Sequence, residues 1–386
     1  MKNLFMLFVS FCFLLCGNLQ DKQLVKTGIS DTEPVIEENK EDDIPDGLFN
    51  LYGDSVVNPK EDDYSYIRVN FDDERPIEGY CAVSSWDPVE KNQTIQYIDS
   101  NGKIVDENTA KEWISKNEKI SFPKLFYSTD EQKYGYVDQN GNFVIAPSFD
   151  TAHEFFDGLA AVCKEVDGVL EYIDTNGNVI ITTEYKAENI MHTMFPGEPT
   201  CDFSDGIAKI SSGLYVDKSG TQLRINDAFG MYKCGLIAVR DENTEKKGYA
   251  DINGNIVIPC EYFWARDFND YGLALVFSDK TADQNAPDVL TSSSFYRGYI
   301  NTKGEIIIPL EYYDHFNSGG SMMYPKDKIC GGIIELYKEG YNHYFNTDGV
   351  LLGKTPQIYS IEYEGEFYPI NLAEYWEWVN GVQSLE

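Results

Sequence analysis

Apolar and polar positions in this chain alternate in short bursts, without helical spacing. In Tyr134-Gly-Tyr-Val-Asp138 and again in Asn142-Phe-Val-Ile145, apolar side chains gather in runs of four or five residues bounded by Asp, Asn and Gly. Such runs, rich in β-branched and aromatic residues, predict strands. Gln139-Asn140-Gly141 joins the two, and Asn-Gly supplies the positive φ that a tight turn needs, so the pair predicts a β-hairpin. The same phrase returns along the chain, starting at Tyr97, Tyr136, Tyr172, Tyr215, Tyr249, Tyr299 and Tyr344, with turn glycines at Gly102, Gly141, Gly177, Gly220, Gly254, Gly304 and Gly349. The glycines are 34 to 50 residues apart, a period that marks a repeat architecture tolerant of insertions.

Each copy carries further regular features. Pro147 is expected to end the second strand of its hairpin because it cannot donate to a ladder. An aromatic (Phe149, Tyr185, Tyr262, Tyr312) lies eight residues after the turn glycine and reads as core. A second phrase, as in Phe156-Asp-Gly158-Leu-Ala-Ala-Val162 and Phe268-Asn-Asp-Tyr-Gly272-Leu-Ala-Leu-Val276, predicts a third strand entered through a glycine turn. Val166-Asp-Gly-Val169 then turns that strand directly into the next hairpin. The fold class is therefore all-β: tandem three-stranded antiparallel repeats in a continuous meander, beginning with a half unit near Phe71. A repeat this small buries little alone, so stacked neighbours must complete the core. Three strands per unit favour an open curved stack; a propeller-like ring, whose blades usually have four, is the alternative. Asn371 to Gly381 has the composition of a short capping helix.

The order Gly-Tyr-[Val/Ile]-Asp-x-x-Gly-x-x-[Val/Ile]-x-Pro, an aromatic, then Phe-x-x-Gly-Leu-Ala-x-Val resembles the WG repeat, also called the KWG repeat, of bacterial proteins, over roughly residues 66 to 352. Tyr134, Lys247 and Arg297 stand where that family has tryptophan, while Gly135, Gly248 and Gly298 keep its glycine; Glu171, Leu214 and His343 replace the glycine in other copies. The resemblance implies an exported or surface repeat protein.

The first residues differ from the rest. Met1-Lys2-Asn3 is positive and Leu4 to Leu15 is apolar apart from Ser10, which reads as a signal-peptide leader. Cys16 follows, and Gly17 to Asp46 is a polar, acidic stretch resembling the tether of a bacterial lipoprotein, which makes Cys16 the lipidation candidate. The expected organisation is a leader over 1–16, an acidic tether over 17–46, the repeat array over 47–358 and a C-terminal cap over 359–386. Six further cysteines are scattered without metal-knuckle spacing and read as small buried hydrophobes, with a disulfide framework of unselected pairing as the alternative.

With 31 Lys+Arg against 64 Asp+Glu, the formal charge is −33. A surface so negative repels phosphate backbones and anionic lipid, so nucleic acid is not an expected partner, and a membrane only through a lipid on Cys16. The 386 residues hold no GxSxG, HExxH, P-loop or GxGxxG pattern, and His153, His192, His315 and His343 fall at different places in different repeats. His153 reads as a surface or capping residue. No catalytic residue, cofactor or metal ligand is assigned. Asp138, Asp174, Asp217 and Asp251 lack the ligand spacing of a calcium loop and read as turn residues. The expected function is an exported, non-enzymatic binding or scaffold module for a protein or glycan; an acidic polysaccharide-active enzyme and a calcium-dependent surface protein are the alternatives. Rings outside the repeat pattern, Trp86, Trp113, Trp264, Phe295 and Tyr296, are the candidates for surface recognition.

Overall fold

The computed structural model describes residues 57–58, 63–64, 66–69, 80–87, 92–117, 123–186, 201–281, 295–313, 329–356, 358–363 and 366–371. The chain divides into two units, Met1–Asp43 and Ile44–Glu386, and the described residues all fall in the second. The leader, Cys16, the tether, Phe71, His192, His315 and the helix expected after Asn371 lie outside the described residues.

The described residues of the second unit are almost wholly antiparallel β, with one helix, Glu107–Asn117. Seven small sheets of three or four strands follow one another, and we number them I to VII by chain position. Sheet I spans Tyr66–Val69, Tyr80–Asp87, Asn92–Asp99 and Ile104–Val105. Sheet II holds Lys124–Ser128, Lys133–Val137 and Phe143–Phe149. Sheet III runs from Thr151–Ala152 to Val179–Lys186, sheet IV from Phe203–Ser204 to Gln222–Arg224, and sheet V from Ile237–Arg240 to Ile256–Tyr262. Sheet VI runs from Trp264–Ala265 to Ile306–Tyr312, and sheet VII from Ile329–Cys330 to Leu351–Pro356. Val57–Asn58 pairs with Asp63–Tyr64, and Ile358–Tyr363 with Glu366–Asn371, as two further hairpins.

The meander is as expected: Ala160–Cys163 pairs with Val169–Ile173, which pairs with Val179–Lys186. Five of the seven sheets have a fourth strand; in sheets III, IV, VI and VII it is a two-residue edge strand. The hairpin turns share one geometry. In sheet II, Asp138 N donates to Asn142 O and Gly141 N to Asp138 O, with Gly141 at φ 80°, a turn closed by a glycine bulge. Asp138 Oδ1 accepts from the amides of Asn140 at 2.8 Å and Asn142 at 2.9 Å, and Asp174, Asp217 and Asp251 repeat the pattern. These hydrogen bonds hold the turn carboxylates below the usual range.

Pro147 does not end its strand. Phe143–Phe149 runs through it, and the missing donor is accommodated by a bulge on the sheet's outer strand. Tyr134 pairs with Phe149 and Tyr136 with Ile145, so Gly135 faces the bulged residues. A methyl group on Gly135 would lie 2.6 Å from Ile145 O; on Gly248 it would lie 2.5 Å from Ile258 O, and on Gly298 2.3 Å from Ile308 O. Pro259 and Pro309 occupy the same bulge in sheets V and VI. Where Leu214 replaces the glycine, the strands of sheet IV pair without a bulge at that point. Glycine and proline are thus two halves of one local solution: the bulge takes up the proline, and the bulged backbone leaves no room for a Cβ.

The core lies between sheets. Tyr136, Tyr172, Tyr215, Tyr249, Tyr299 and Tyr344 are the largest fully buried side chains. Four of them reach a backbone carbonyl in the segment that opens the next unit: Tyr136 OH donates to His153 O at 2.7 Å, Tyr172 to Cys201 O at 2.7 Å, Tyr215 to Gly230 O at 2.6 Å and Tyr249 to Arg266 O at 2.7 Å. The aromatics eight residues after the turn glycine join the core as expected, with Phe149, Tyr262 and Tyr312 buried and Tyr185 packed against it. Hairpin glycines also lie against an aliphatic residue of the preceding sheet, Gly177 against Ile145, Gly220 against Ile181, Gly254 against Ile225 and Gly304 against Ile258.

The first sheet makes this same contact with the last. Gly102 lies against Leu352, Gly332 against Ser100, and Cys81 and Ile98 share a core with Cys330, Ile333 and Tyr344. Asn346 Nδ2 donates to Asn101 Oδ1 at 3.5 Å. Packed sheets therefore run II, III, IV, V, VI, VII, I. Among the described residues no core cluster joins sheets I and II, and a Cβ on Gly141 would meet nothing within 4 Å. The six cysteines of the array are thiols outside any disulfide, Cys81, Cys163, Cys201 and Cys330 buried and Cys234 and Cys260 half-buried.

Gly248→Ala forces the Cβ into Ile258 O, and we expect it to cost about 1–3 kcal/mol in urea unfolding, as overpacking does elsewhere. His343, which stands at the same repeat position but faces no bulge, should tolerate alanine at a smaller cost in the same measurement.

Candidate functional site

One group of exposed and half-buried rings meets at the junction of sheets V and VI. Tyr262 closes the outer strand of sheet V buried, and Phe263, in the bend that leads to sheet VI, faces outward, 6% and 42% exposed. Trp264, half-buried, begins sheet VI and pairs with Phe277, while Ala265 turns into the core. Phe295 opens the strand beyond, opposite Thr281. Its ring stacks on that of Phe263, centroids 4.0 Å apart and 21° from parallel. Phe229 tilts onto Trp264 at 5.8 Å. Lys247 Nζ sits 5.2 Å from the Trp264 ring and 5.9 Å from that of Phe263, and donates to Glu245 O at 2.7 Å. Burial among these rings holds the Lys247 amine below its usual range. The result is a half-open aromatic shelf with one ammonium group seated on its faces, suited to stacking against a flat, partly apolar ligand face.

Of the rings singled out from the sequence, the structure brings Trp264 and Phe295 to this shelf. Tyr296 alternates to the other side of its strand and meets Tyr313 edge-on at 6.0 Å. Trp86 lies on the second strand of sheet I and Trp113 on the helix Glu107–Asn117; their side chains lie outside the described residues. Phe263, Lys247 and Phe229 were not singled out. Phe263 was not legible, because it lies in the bend between two strands, where alternation gives no direction. Lys247 was not, because its aromatic partner is 17 residues away in the next sheet.

His153 is not a surface cap. Its ring is half-buried, with Nδ1 2.7 Å from Asp202 Oδ1 and 4.0 Å from Cys201 Sγ. Both neighbours meet the same ring nitrogen, so the three do not form a nucleophile–base–acid relay, which uses opposite nitrogens. His343 lies among Tyr312, Tyr341 and Lys354. Burial, and to a lesser degree Lys354 and Lys338, lowers its pKa from 6.5 to about 4.

Three units match the family model described as "WG containing repeat", over residues 134–165, 248–280 and 298–317. These are the units in which glycine opposes the proline bulge. The stacked antiparallel sheets define a β-repeat protein. The chain is a WG-repeat-containing protein. No curated protein matches it. Similar solved structures include Hsv2 of Kluyvelomyces marxianus, 7% identical, covering 73% of this chain and 75% of that one at a TM-score of 0.30. Another is selenomethionine-substituted virginiamycin B lyase from Staphylococcus aureus, 12% identical, covering 80% of this chain and 97% of that one at a TM-score of 0.19. Likeness this loose says nothing of site or activity.

Because the folded state disfavours the His343 imidazolium, the unfolded chain binds the extra proton first, and stability falls as pH drops from 6.5 towards about 4. The loss should be about 2 kcal/mol, allowing for the ring's partial exposure, and His343→Gln should remove that share of the slope in chemical unfolding measured at stepped pH.

Proposed function

We infer that this protein is an exported, non-enzymatic binding module of the cell envelope, and that the shelf of Phe263, Trp264 and Phe295 with Lys247 takes a glycan. The observation that carries this reading is the Phe263–Phe295 stack, a pair of parallel rings with Phe263 42% exposed. Buried aromatic pairs serve packing, but here one ring is kept in solvent and an ammonium group lies over the adjoining faces. A pyranose offers what such a shelf accepts: an apolar C–H face for the rings and hydroxyls for the ammonium and nearby carbonyls. Export is supported by the positive and then apolar run from Met1 to Leu15, with Cys16 as the lipid-bearing candidate. Among the described residues no helix is long and apolar enough to cross a membrane.

A protein partner is the second reading, and a separate feature favours it. Phe143–Val144, Val179–Ile180, Ile256–Val257 and Val350–Leu351 are exposed apolar pairs at the start of the outer strand in sheets II, III, V and VII. Their recurrence gives the outer strands a regular apolar edge of the kind on which repeat proteins seat other chains.

Calorimetric titration of the full chain with neutral cell-wall and cellulose-type oligosaccharides tests the glycan reading. Binding is expected for one class of sugar, weakened at least tenfold in Phe263→Ala and in Phe295→Ala, with the sugar recovered uncleaved. Absence of heat with every glycan at millimolar concentration, or binding that both variants leave unchanged, would overturn it. In the second case the apolar pairs become the next target.

A further inference from the structure

We propose that His153, Cys201 and Asp202 form a binding site for a divalent transition metal ion of the zinc type, fastening sheet III to sheet IV. The imidazole Nδ1, thiol sulfur and carboxylate oxygen all lie within 4.8 Å of one another. Cys201 is buried, and the side chains of His153 and Asp202 are 17% and 12% exposed. A tetrahedral zinc ion, with bonds of about 2.0–2.3 Å, holds its ligand atoms about 3.3–3.6 Å apart. The observed 2.7 Å from Nδ1 to Oδ1 and 4.0 Å from Nδ1 to Sγ bracket that spacing, so small side-chain rotations complete the geometry.

The repeat itself brings the donors together. Tyr136 pins the carbonyl of His153 and Tyr172 that of Cys201, which are equivalent positions in successive units. The ligand backbones are therefore held in place before any ion arrives, the preorganisation a metal site requires. In two other units the acidic residue after this position accepts from an amide of the preceding unit: Glu154 Oε2 from Leu125 N at 3.1 Å, and Asp267 Oδ1 from Met231 N at 3.0 Å. At Asp202 the group reached is an imidazole, and the preceding residue is a cysteine whose sulfur faces the same nitrogen. In the next two units the equivalents of Cys201 are Gly230 and Arg266, which offer no such ligand.

Charge also favours occupation. With a thiol, a neutral imidazole and a carboxylate the pocket carries one negative charge; a dication bound to thiolate, imidazole and carboxylate leaves it neutral. The thiol proton leaves to solvent, the Nδ1 proton is replaced by one on Nε2, and one proton is released per ion. The fourth position is left to water.

The test is cobalt titration of the full chain, reduced and stripped with chelator, followed by near-ultraviolet absorption and proton release. One equivalent of Co²⁺ should produce a thiolate-to-cobalt band with release of about one proton, and Zn²⁺ should displace it. The band should vanish in Cys201→Ser and persist in Cys260→Ser, and affinity should fall at least tenfold in Asp202→Asn. No band in the natural chain at millimolar Co²⁺, or a band that survives Cys201→Ser, would overturn the proposal. Should Cys201→Ser fail to fold, Asp202→Asn decides: an affinity equal to that of the natural chain overturns it.

Discussion

A buried phenol needs an acceptor, and a sheet of three or four short strands has spent its carbonyls on its own ladders. In this protein the acceptor belongs to the neighbour. Tyr136, Tyr172, Tyr215 and Tyr249 sit at the centre of their sheets and donate to His153, Cys201, Gly230 and Arg266 in the units that follow. Burial raises the pKa of Tyr136, Tyr172 and Tyr215 well above the ordinary range, so these hydroxyls remain donors at any physiological pH. Leaving such a group unpaired costs about 1–3 kcal/mol. No sheet is therefore complete alone, and the array is stable only as a succession of mutually satisfied neighbours.

The same constraint accounts for the treatment of the chain ends. A terminal repeat exposes one apolar face and normally needs a cap. Here sheet I covers sheet VII, with Cys81, Ile98, Cys330, Ile333 and Tyr344 in one core and Gly102 against Leu352 in the place where Gly304 meets Ile258. Tyr344 shares a hydrogen bond with Thr355 in its own sheet at 3.0 Å. The opposite faces, those of sheets I and II, share no core among the described residues.

Much of this was legible in the residues. Asp-x-Asn-Gly told of a turn closed by its own carboxylate, and the recurring Tyr of a packed position. Two features were not. Proline read locally forbids a strand, yet Pro147, Pro259 and Pro309 lie within strands, because the outer position asks for fewer ladder bonds and the facing glycine admits the bulge. That pairing is visible only once both strands are in register. Docking of sheet I on sheet VII joins Asn101 to Asn346, and no local pattern reports a contact across 245 residues. The shelf was half legible for the same reason: Trp264 and Phe295 stand outside the repeat, whereas Lys247 stands within it, in the place of the family's tryptophan. His153 and Cys201 were hidden by the residues between Lys186 and Cys201, which break the repeat alignment and obscure that the two positions are equivalent.

Native-state hydrogen exchange on Tyr215→Phe addresses the dependence of each sheet on the next most directly. Loss of the hydroxyl leaves Gly230 O without its donor in sheet V's opening segment. Protection is expected to fall together in Leu214–Asp217 of sheet IV and in Ile237–Arg240 of sheet V, while Tyr341–Phe345 of sheet VII keeps its own. Protection lost in sheet IV alone, or unchanged in both, would contradict the view that these sheets are completed by their neighbours.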